Sequence, residues 1–232
     1  MSEGGEAGAG STIAVLGSGT MGRALGAVLA RRHHRVLIAS RDAERARAGA
    51  AAVREVVGEE AGRRVSASLP SAAVIRSDTA FLATRWAETF EMLESAGEFR
   101  GRILVDASNP EAPDGRSLAL GHTTSGAEEI ARRASGARVV KAFNHIYAEV
   151  LARGPVFGPG KASAFLCGDD AEAKASVSLL IEDLGFSPVD AGGLSAARLL
   201  EPAAALMVQI VRVMGREPGS VALALLSRTE GS

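Results

Sequence analysis

Gly17-Ser18-Gly19-Thr20-Met21-Gly22 is a G-x-G-x-x-G string placed directly behind the apolar run 12–16. Those residue types at that spacing suit a pyrophosphate. Gly17 permits a tight turn, Gly19 lets the backbone approach the ligand, and Gly22 lets a helix pack closely on a strand. A helix opening there presents free N–H groups and the positive end of its dipole to phosphate oxygens. The string is informative only between a strand and a helix. That context is present, because Met21, Leu25, Val28 and Leu29 follow at helical spacing and a second apolar run covers 35–39. The end of this second run selects the dinucleotide. An acidic residue there would bind a ribose 2′-hydroxyl. This chain instead has Ser40-Arg41, with Arg45 one turn further on. A hydroxyl and two guanidiniums suit a 2′-phosphate, since the planar fork of arginine matches phosphate oxygens. Asp42 lies beyond the strand end and reads as a helix N-cap. NADP(H) is the cofactor these residues predict.

Other residues could carry chemistry beside such a cofactor. Asn144 and His145 follow the apolar run 139–143. His145 could protonate the anion developing on an imine, enone or ketone; alternatively it hydrogen-bonds in a strand-end loop. Hydride transfer between stacked rings needs alignment and excluded water more than a proton donor. His33 and His34 sit in a polar turn with Arg31, Arg32 and Arg35, and His122 in a loop. No pair of histidines has metal-ligand spacing, so no metal is expected. Cys167, the single cysteine, lies in the apolar run 164–167 and reads as a small buried hydrophobe. It excludes a disulfide framework. Gly-x-Ser-x-Gly is absent, Glu128 and Glu129 read as solvated, and Trp86 could shelter a ring ligand or simply pack.

The elements that must position these residues alternate strand and helix. Strands are expected at 12–16, 35–39, near 65–67, at 79–83, 103–105, 139–143 and 163–167, and at 188–189. Helices are expected at 19–32, 42–53, 86–99, 125–134 and 171–184, with Ser125 and Glu128 forming a capping box. This order predicts an α/β fold of Rossmann type, doubly wound on a mainly parallel sheet. It spans 11–193 behind a flexible tail at 1–10. The alternation stops at Gly192-Gly193. Residues 195–214 read as an apolar helix interrupted by Pro202, followed by a short helix at 220–226. The portion 194–232 is therefore expected to be a small helical appendage and a homodimer contact, because an apolar helix must bury itself against something.

Composition sets the outer bounds. The chain has 232 residues, 47% hydrophobic and 23% charged, enough for a sizeable core and incompatible with wholesale disorder. A net charge of −1 argues against nucleic acid or an anionic membrane as partner. The start is small and acidic rather than a signal peptide, and no uncharged apolar run approaches the roughly 18–20 residues of a bilayer span. A cytoplasmic protein is expected. Lys141, Lys161 and Lys174 are the only lysines; arginine carries nearly all positive charge, which with abundant Ala and Gly suggests a GC-rich bacterial genome.

In order along the chain come Gly17 to Gly22, Ser40-Arg41, Asp106-Ala107-Ser108-Asn109-Pro110, Thr124-Ser125-Gly126-Ala127-Glu128, Val139-Val140-Lys141-Ala142-Phe143-Asn144, Cys167-Gly168-Asp169-Asp170, Asp190-Ala191-Gly192 and Ala197-Arg198-Leu199-Leu200-Glu201-Pro202. This ordered set, over about 12–226, resembles the NADPH-dependent deazaflavin (coenzyme F-420) reductases, with the nucleotide domain of animal membrane metalloreductases as a relative. The resemblance implies a dimeric Rossmann protein that moves hydride between NADPH and a planar acceptor. Ser18, Thr20 and Met21 would join the glycines around the pyrophosphate, and Ser40, Arg41 and Arg45 would hold the 2′-phosphate. Ala83, Thr84, Arg85 and Trp86 would lie beside the pyrophosphate and nicotinamide ribose. Asn109 and Ala142 to Ile146 would lie at strand ends around the reacting rings. Two departures stand out: Arg85 replaces a usual Pro, and Asn144 replaces a His. The F-420 coenzyme is the expected co-substrate. The alternatives are a small organic acceptor and a non-catalytic NADP(H) sensor.

Overall fold

The central strand segments are mostly apolar, as strands must be when helices cover both faces of a sheet, with Lys141 the marked exception. In the computed structural model, which describes residues 10–114 and 117–228, the first half runs β1 (Thr12–Leu16), α1 (Thr20–Arg31), β2 (Arg35–Ala39), α2 (Ala43–Gly62), β3 (Val65–Ser68), α3 (Pro70–Ile75), β4 (Thr79–Leu82), α4 (Trp86–Ala96) and β5 (Ile103–Asp106). The second half runs α5 (Gly126–Arg133), β6 (Arg138–Ala142), α6 (Ala148–Arg153), a small hairpin of β7 (Val156–Phe157) and β8 (Gly160–Lys161), β9 (Ser163–Gly168), α7 (Ala171–Asp183), β10 (Ser187–Asp190) and α8 (Ala197–Met214). The expected tail at 1–10 lies, apart from Gly10, outside the described residues.

The larger sheet has the order β10-β9-β6-β5-β4-β1-β2-β3. From β3 to β6 every pairing is parallel; β9 joins β6 antiparallel, and β10 runs parallel to β9. The fold is therefore α/β of Rossmann type. Its strand order reverses between β1 and β4, and the crevice at their carboxyl ends is where such folds take ligands. One core layer, with Val15, Ile38, Phe81 and Val140, packs under α1, α2, α6 and α7. The other, with Leu16, Leu37, Leu82 and Leu104, packs under α3, α4, α5 and the start of α8.

Several expectations need correction. The helix expected at 42–53 continues as α2 to Gly62, with a non-helical Gly58 at φ 80°. The short α3 and α6 and the β7–β8 hairpin were not expected. Pro202 does not interrupt α8: proline lacks one N–H, and in an early turn of the helix this leaves a single carbonyl without its usual partner. The expected helix at 220–226 is absent. A single 3-10 turn spans Pro218–Ser220, and beyond it the chain extends. There the Leu223 carbonyl accepts from Ser163 N at 2.9 Å, and Leu225 N donates to Ser163 Oγ at 3.0 Å. By length and apolar content Leu194–Met214 could cross a bilayer. Its Arg198 and Glu201 are, however, bonded to Glu128 and Lys141 of the Rossmann portion.

Candidate functional site

The β1–α1 turn is built by close approach. Gly17 sits at φ 132°, where a Cβ would lie 2.4 Å from the Ala83 carbonyl oxygen. Gly22 faces the turn from inside α1, where a Cβ would lie 1.9 Å from the Gly17 carbonyl oxygen. Between them Gly19 faces open space, with nothing within 4 Å of an added Cβ. It is also the N-cap of α1, which has no side-chain cap and no acidic residue in its first turn. The first amides of α1 are thus without the side-chain acceptor that usually satisfies helix-opening donors. Such amides are suited to an anion.

Basic groups gather at the end of β2. Asp42 caps α2 by accepting from Arg45 N at 2.8 Å, and that bond holds its carboxyl below the usual range. Ser40 Oγ accepts from Asp42 N at 3.3 Å. Arg41 pairs with Glu91 of α4. Arg45 forms no ion pair among the described residues. These side chains line one end of a cavity of about 1080 Å³, at the upper end of the roughly 300–1,000 Å³ usual for ligand pockets.

The middle of the cavity is a cross-linked floor at the ends of β5 and β6. Asn109 Nδ2 donates to the Asn144 carbonyl at 2.8 Å, and Asn144 Nδ2 donates to Asn109 Oδ1 and to the Leu200 carbonyl, both at 3.0 Å. These bonds fix both amides. The turn that presents Asn144 passes through Phe143, a buried residue at φ 65°, conformationally costly for a bulky side chain. Its ring is held edge-on by Phe81 and Phe186, at 5.6 and 6.1 Å between centroids. His145 is buried, which pushes its pKa below the ordinary imidazole value despite the bond to Ser163. Its Nε2 lies 3.1 Å from the Ser163 carbonyl, and Nδ1 lies 3.4 Å from Asn144 Oδ1. Both ring nitrogens thus face acceptor oxygens, and in the tautomer with Nε2–H on the Ser163 carbonyl a neutral ring would have no proton to donate into the cavity.

Beneath the floor lies a buried ionic cluster. Lys141 Nζ donates to Asp106 Oδ2 at 2.8 Å and to the Ser108 carbonyl at 2.6 Å, and lies 2.9 Å from Glu201 Oε1. Burial would pull its pKa down, but the Asp106 and Glu201 carboxylates outweigh this and hold it above the ordinary lysine value. The nearby Cys167 thiol is pushed up to about 12, chiefly by burial, which removes it as a nucleophile. Glu128 is not free in solvent. Arg198 donates to it at 2.9 and 2.6 Å and holds its carboxyl low, and Ser125 Oγ accepts from Glu128 N to cap α5.

Of the residues singled out in the sequence, Gly17, Ser18, Gly19, Thr20, Met21, Ser40, Arg41, Arg45, Ala83, Thr84, Arg85, Asn109, Asn144 and His145 all line this one cavity. Gly22 and Ala142 do not; they are buried behind its wall, at the turn and at the end of β6. Arg85 is 83% exposed and pairs with Glu88, and Trp86 packs edge-on against Phe90 at 5.0 Å. Sequence reasoning missed Arg23, Tyr147, Ala204, Met207 and Val208, which also line it. Arg23 follows Gly22 directly and was readable as a further cation near the phosphates. The three α8 residues carry no motif, and only the tertiary path of that helix brings them in.

Residues 12–110 match the family described as NADP oxidoreductase, coenzyme F420-dependent. The F420-dependent NADP reductase of Methanothermobacter marburgensis is 31% identical over 207 residues, covering 85% of this chain and 91% of the relative. The chain belongs to the F420-dependent NADP reductases. Like the rest of that family it is an NADP-dependent oxidoreductase. A crystal structure from Arthrobacter sp. FB24, provisionally described as an F420-dependent NADP-reductase, superposes with a TM-score of 0.82 at 29% identity, covering 93% of this chain and all of that one. Metalloreductase STEAP3 of Rattus norvegicus is 32% identical over 189 residues, which cover 82% of this chain. The chain spans 35% of the length of that relative.

Proposed function

We propose that the protein transfers hydride between NADP(H) and the deazaflavin coenzyme F420, and that both ligands share the one cavity. The observation carrying this is that the uncapped start of α1 and Arg45, which has no ion pair among the described residues, occupy one end of a space whose other side is the apolar Met207–Val208 wall. In this reading Ser18, Gly19, Thr20 and Met21 hold the pyrophosphate, with Gly17 and Gly22 shaping the turn. Ser40, Arg41 and Arg45 hold the 2′-phosphate. Ala83, Thr84 and Arg85 border the ribose, and Ala142 backs the floor on which Asn109 and Asn144 orient the reacting ring. When bound, NADPH supplies hydride from its nicotinamide to the oxidised deazaflavin, which takes a proton from solvent. His145 holds the Ser163 end of β9 against the floor rather than moving that proton.

We also infer a homodimer built on α8. Leu199, Leu206 and Val213 recur every seventh residue along it and are 73%, 59% and 74% exposed, a stripe that a second copy would cover.

The test is spectrophotometric: oxidised F420 with NADPH, and in parallel with NADH. Loss of the deazaflavin absorbance with NADPH, at least about tenfold faster than with NADH, is expected from the extra phosphate contacts. No turnover by protein that demonstrably binds NADPH would overturn F420 as acceptor and leave a small imine, enone or ketone in its place.

A further inference from the structure

The Lys141 cluster is a costly thing to bury. Lys141 and Asp106 are fully inaccessible and Glu201 is 1% exposed. Two carboxylates face one ammonium, and replacing such groups by apolar ones commonly leaves a protein as stable or more so. Every bond of the cluster is nonetheless made. Asp106 Oδ1 accepts from Ser108 N and Oγ at 2.9 and 2.6 Å. Glu201 Oε2 accepts from Gly126 N at 2.9 Å, and Oε1 from Ala127 N at 3.1 Å. The surplus negative charge therefore rests on the positive end of α5.

Stability leaves the cluster unexplained; its geometry does not. One ammonium grips both sides of the cavity. Through the Ser108 carbonyl and Asp106 it holds the loop that carries Asn109, and through Glu201 it holds α8. Of the elements walling the cavity, α8 alone follows the last strand of the sheet. At 1.5 Å per residue, Met207 stands roughly 9 Å along the helix from Glu201. Among the described residues, the polar fastenings of α8 are all in its first two turns, at Arg198, the Leu200 carbonyl and Glu201. A small rotation there moves the wall.

We propose that Glu201 is a positioning residue: bonded to Lys141 and to the start of α5, it sets the distance between the Ala204–Met207–Val208 wall and the Asn109–Asn144 floor, and so aligns the acceptor. This rests on the reading that the acceptor lies between them. The dinucleotide end, built from β1, α1 and β2, is not touched by it.

The experiment compares wild-type protein with Glu201→Gln and Glu201→Asp, measuring NADPH Kd by calorimetry, KM and kcat for F420, and melting temperature. Misplacing a wall by about 1 Å can cost on the order of 100-fold, so kcat/KM for F420 should fall by about that factor in Glu201→Gln. NADPH Kd should stay within about twofold, since the residues assigned to its pyrophosphate and 2′-phosphate lie on β1, α1, β2 and α2 and not on α8. Glu201→Asp keeps the charge but shortens the reach, and should show a smaller loss in the same parameter. It decides the question if the Gln variant does not fold. Unchanged acceptor kinetics in the folded variants would overturn the proposal, as would a parallel loss of NADPH binding, which marks a merely structural role. A wild-type protein that does not turn over F420 points to failure of the functional reading instead, and is seen before any variant is compared.

Discussion

Arg41 and Arg45 stand side by side at the start of α2 but differ in freedom, since Arg41 is paired with Glu91 and Arg45 has no ion-pair partner among the described residues. Both are predicted to bind the 2′-phosphate. A charge-assisted hydrogen bond contributes about 1.5–3 kcal/mol, so Arg41→Ala should weaken NADPH about 10- to 100-fold while leaving NADH nearly unchanged. Equal losses for the two nucleotides in calorimetric titrations would sink the assignment. His145 makes a prediction of different sign. Its pKa is lowered in the folded state, so the unfolded chain binds the proton first. Above the unfolded value of 6.5 the ring is neutral in both states and has no effect on the pH dependence. As pH falls from there toward the folded value, stability is lost. Melting temperature should therefore drop more steeply below pH 6.5 in the wild type than in His145→Gln, whose amide can still donate to the Ser163 carbonyl. Coincident slopes would remove His145 from the acid response.

At the scale of elements, the β1–α1 unit separates what serves the fold from what serves the ligand. Gly22→Ala drives a Cβ into the Gly17 carbonyl and should cost on the order of 3 kcal/mol of stability by overpacking. Gly19→Ala meets open space at an ordinary backbone φ of −76°. It should melt like the wild type yet bind NADPH about tenfold more weakly, because its methyl stands where the pyrophosphate approaches. A thermal melt and a titration on each variant check both; a stable Gly22→Ala, or a Gly19→Ala with full affinity, would contradict the division. This unit was legible in the sequence because its demands are local: the glycines fall where a turn and a close contact need them. Asp42 and Ser125 were legible as caps for the same reason. The stretch 221–226 misled because Ala and Leu favour helix, whereas the backbone bonds to Ser163 that fix it as extended come from a residue far back in the chain. Short α3 and α6 offered too few turns for a period to register. Lys141 and Glu201 were quoted as parts of motifs, but nothing in their spacing announces that they meet; only the packing of α8 over β6 brings them together.

At the scale of the whole molecule, the apolar stripe on α8 runs next to the residues that wall the cavity, so the proposed dimer and the acceptor site share one helix. Leu206→Glu combined with Val213→Glu should convert a dimer to a monomer in sedimentation, since a like charge from each copy would be buried at the contact. A wild-type monomer at micromolar concentration would remove the dimer altogether. The turn at Phe143 has a reach of a different kind. Its left-handed backbone is held by rings from β4 and from the residue just ahead of β10, strands in separate parts of the sheet. Without the antiparallel β9 and the β10 beside it, the turn keeps Phe81 and the Asn109 bonds but loses Phe186, and His145 loses the Ser163 carbonyl. The phosphate end of the cavity, by contrast, rests on β1, α1, β2 and α2: damage confined to β9 or β10 is expected to leave the protein able to take up its coenzyme but poorly able to use it.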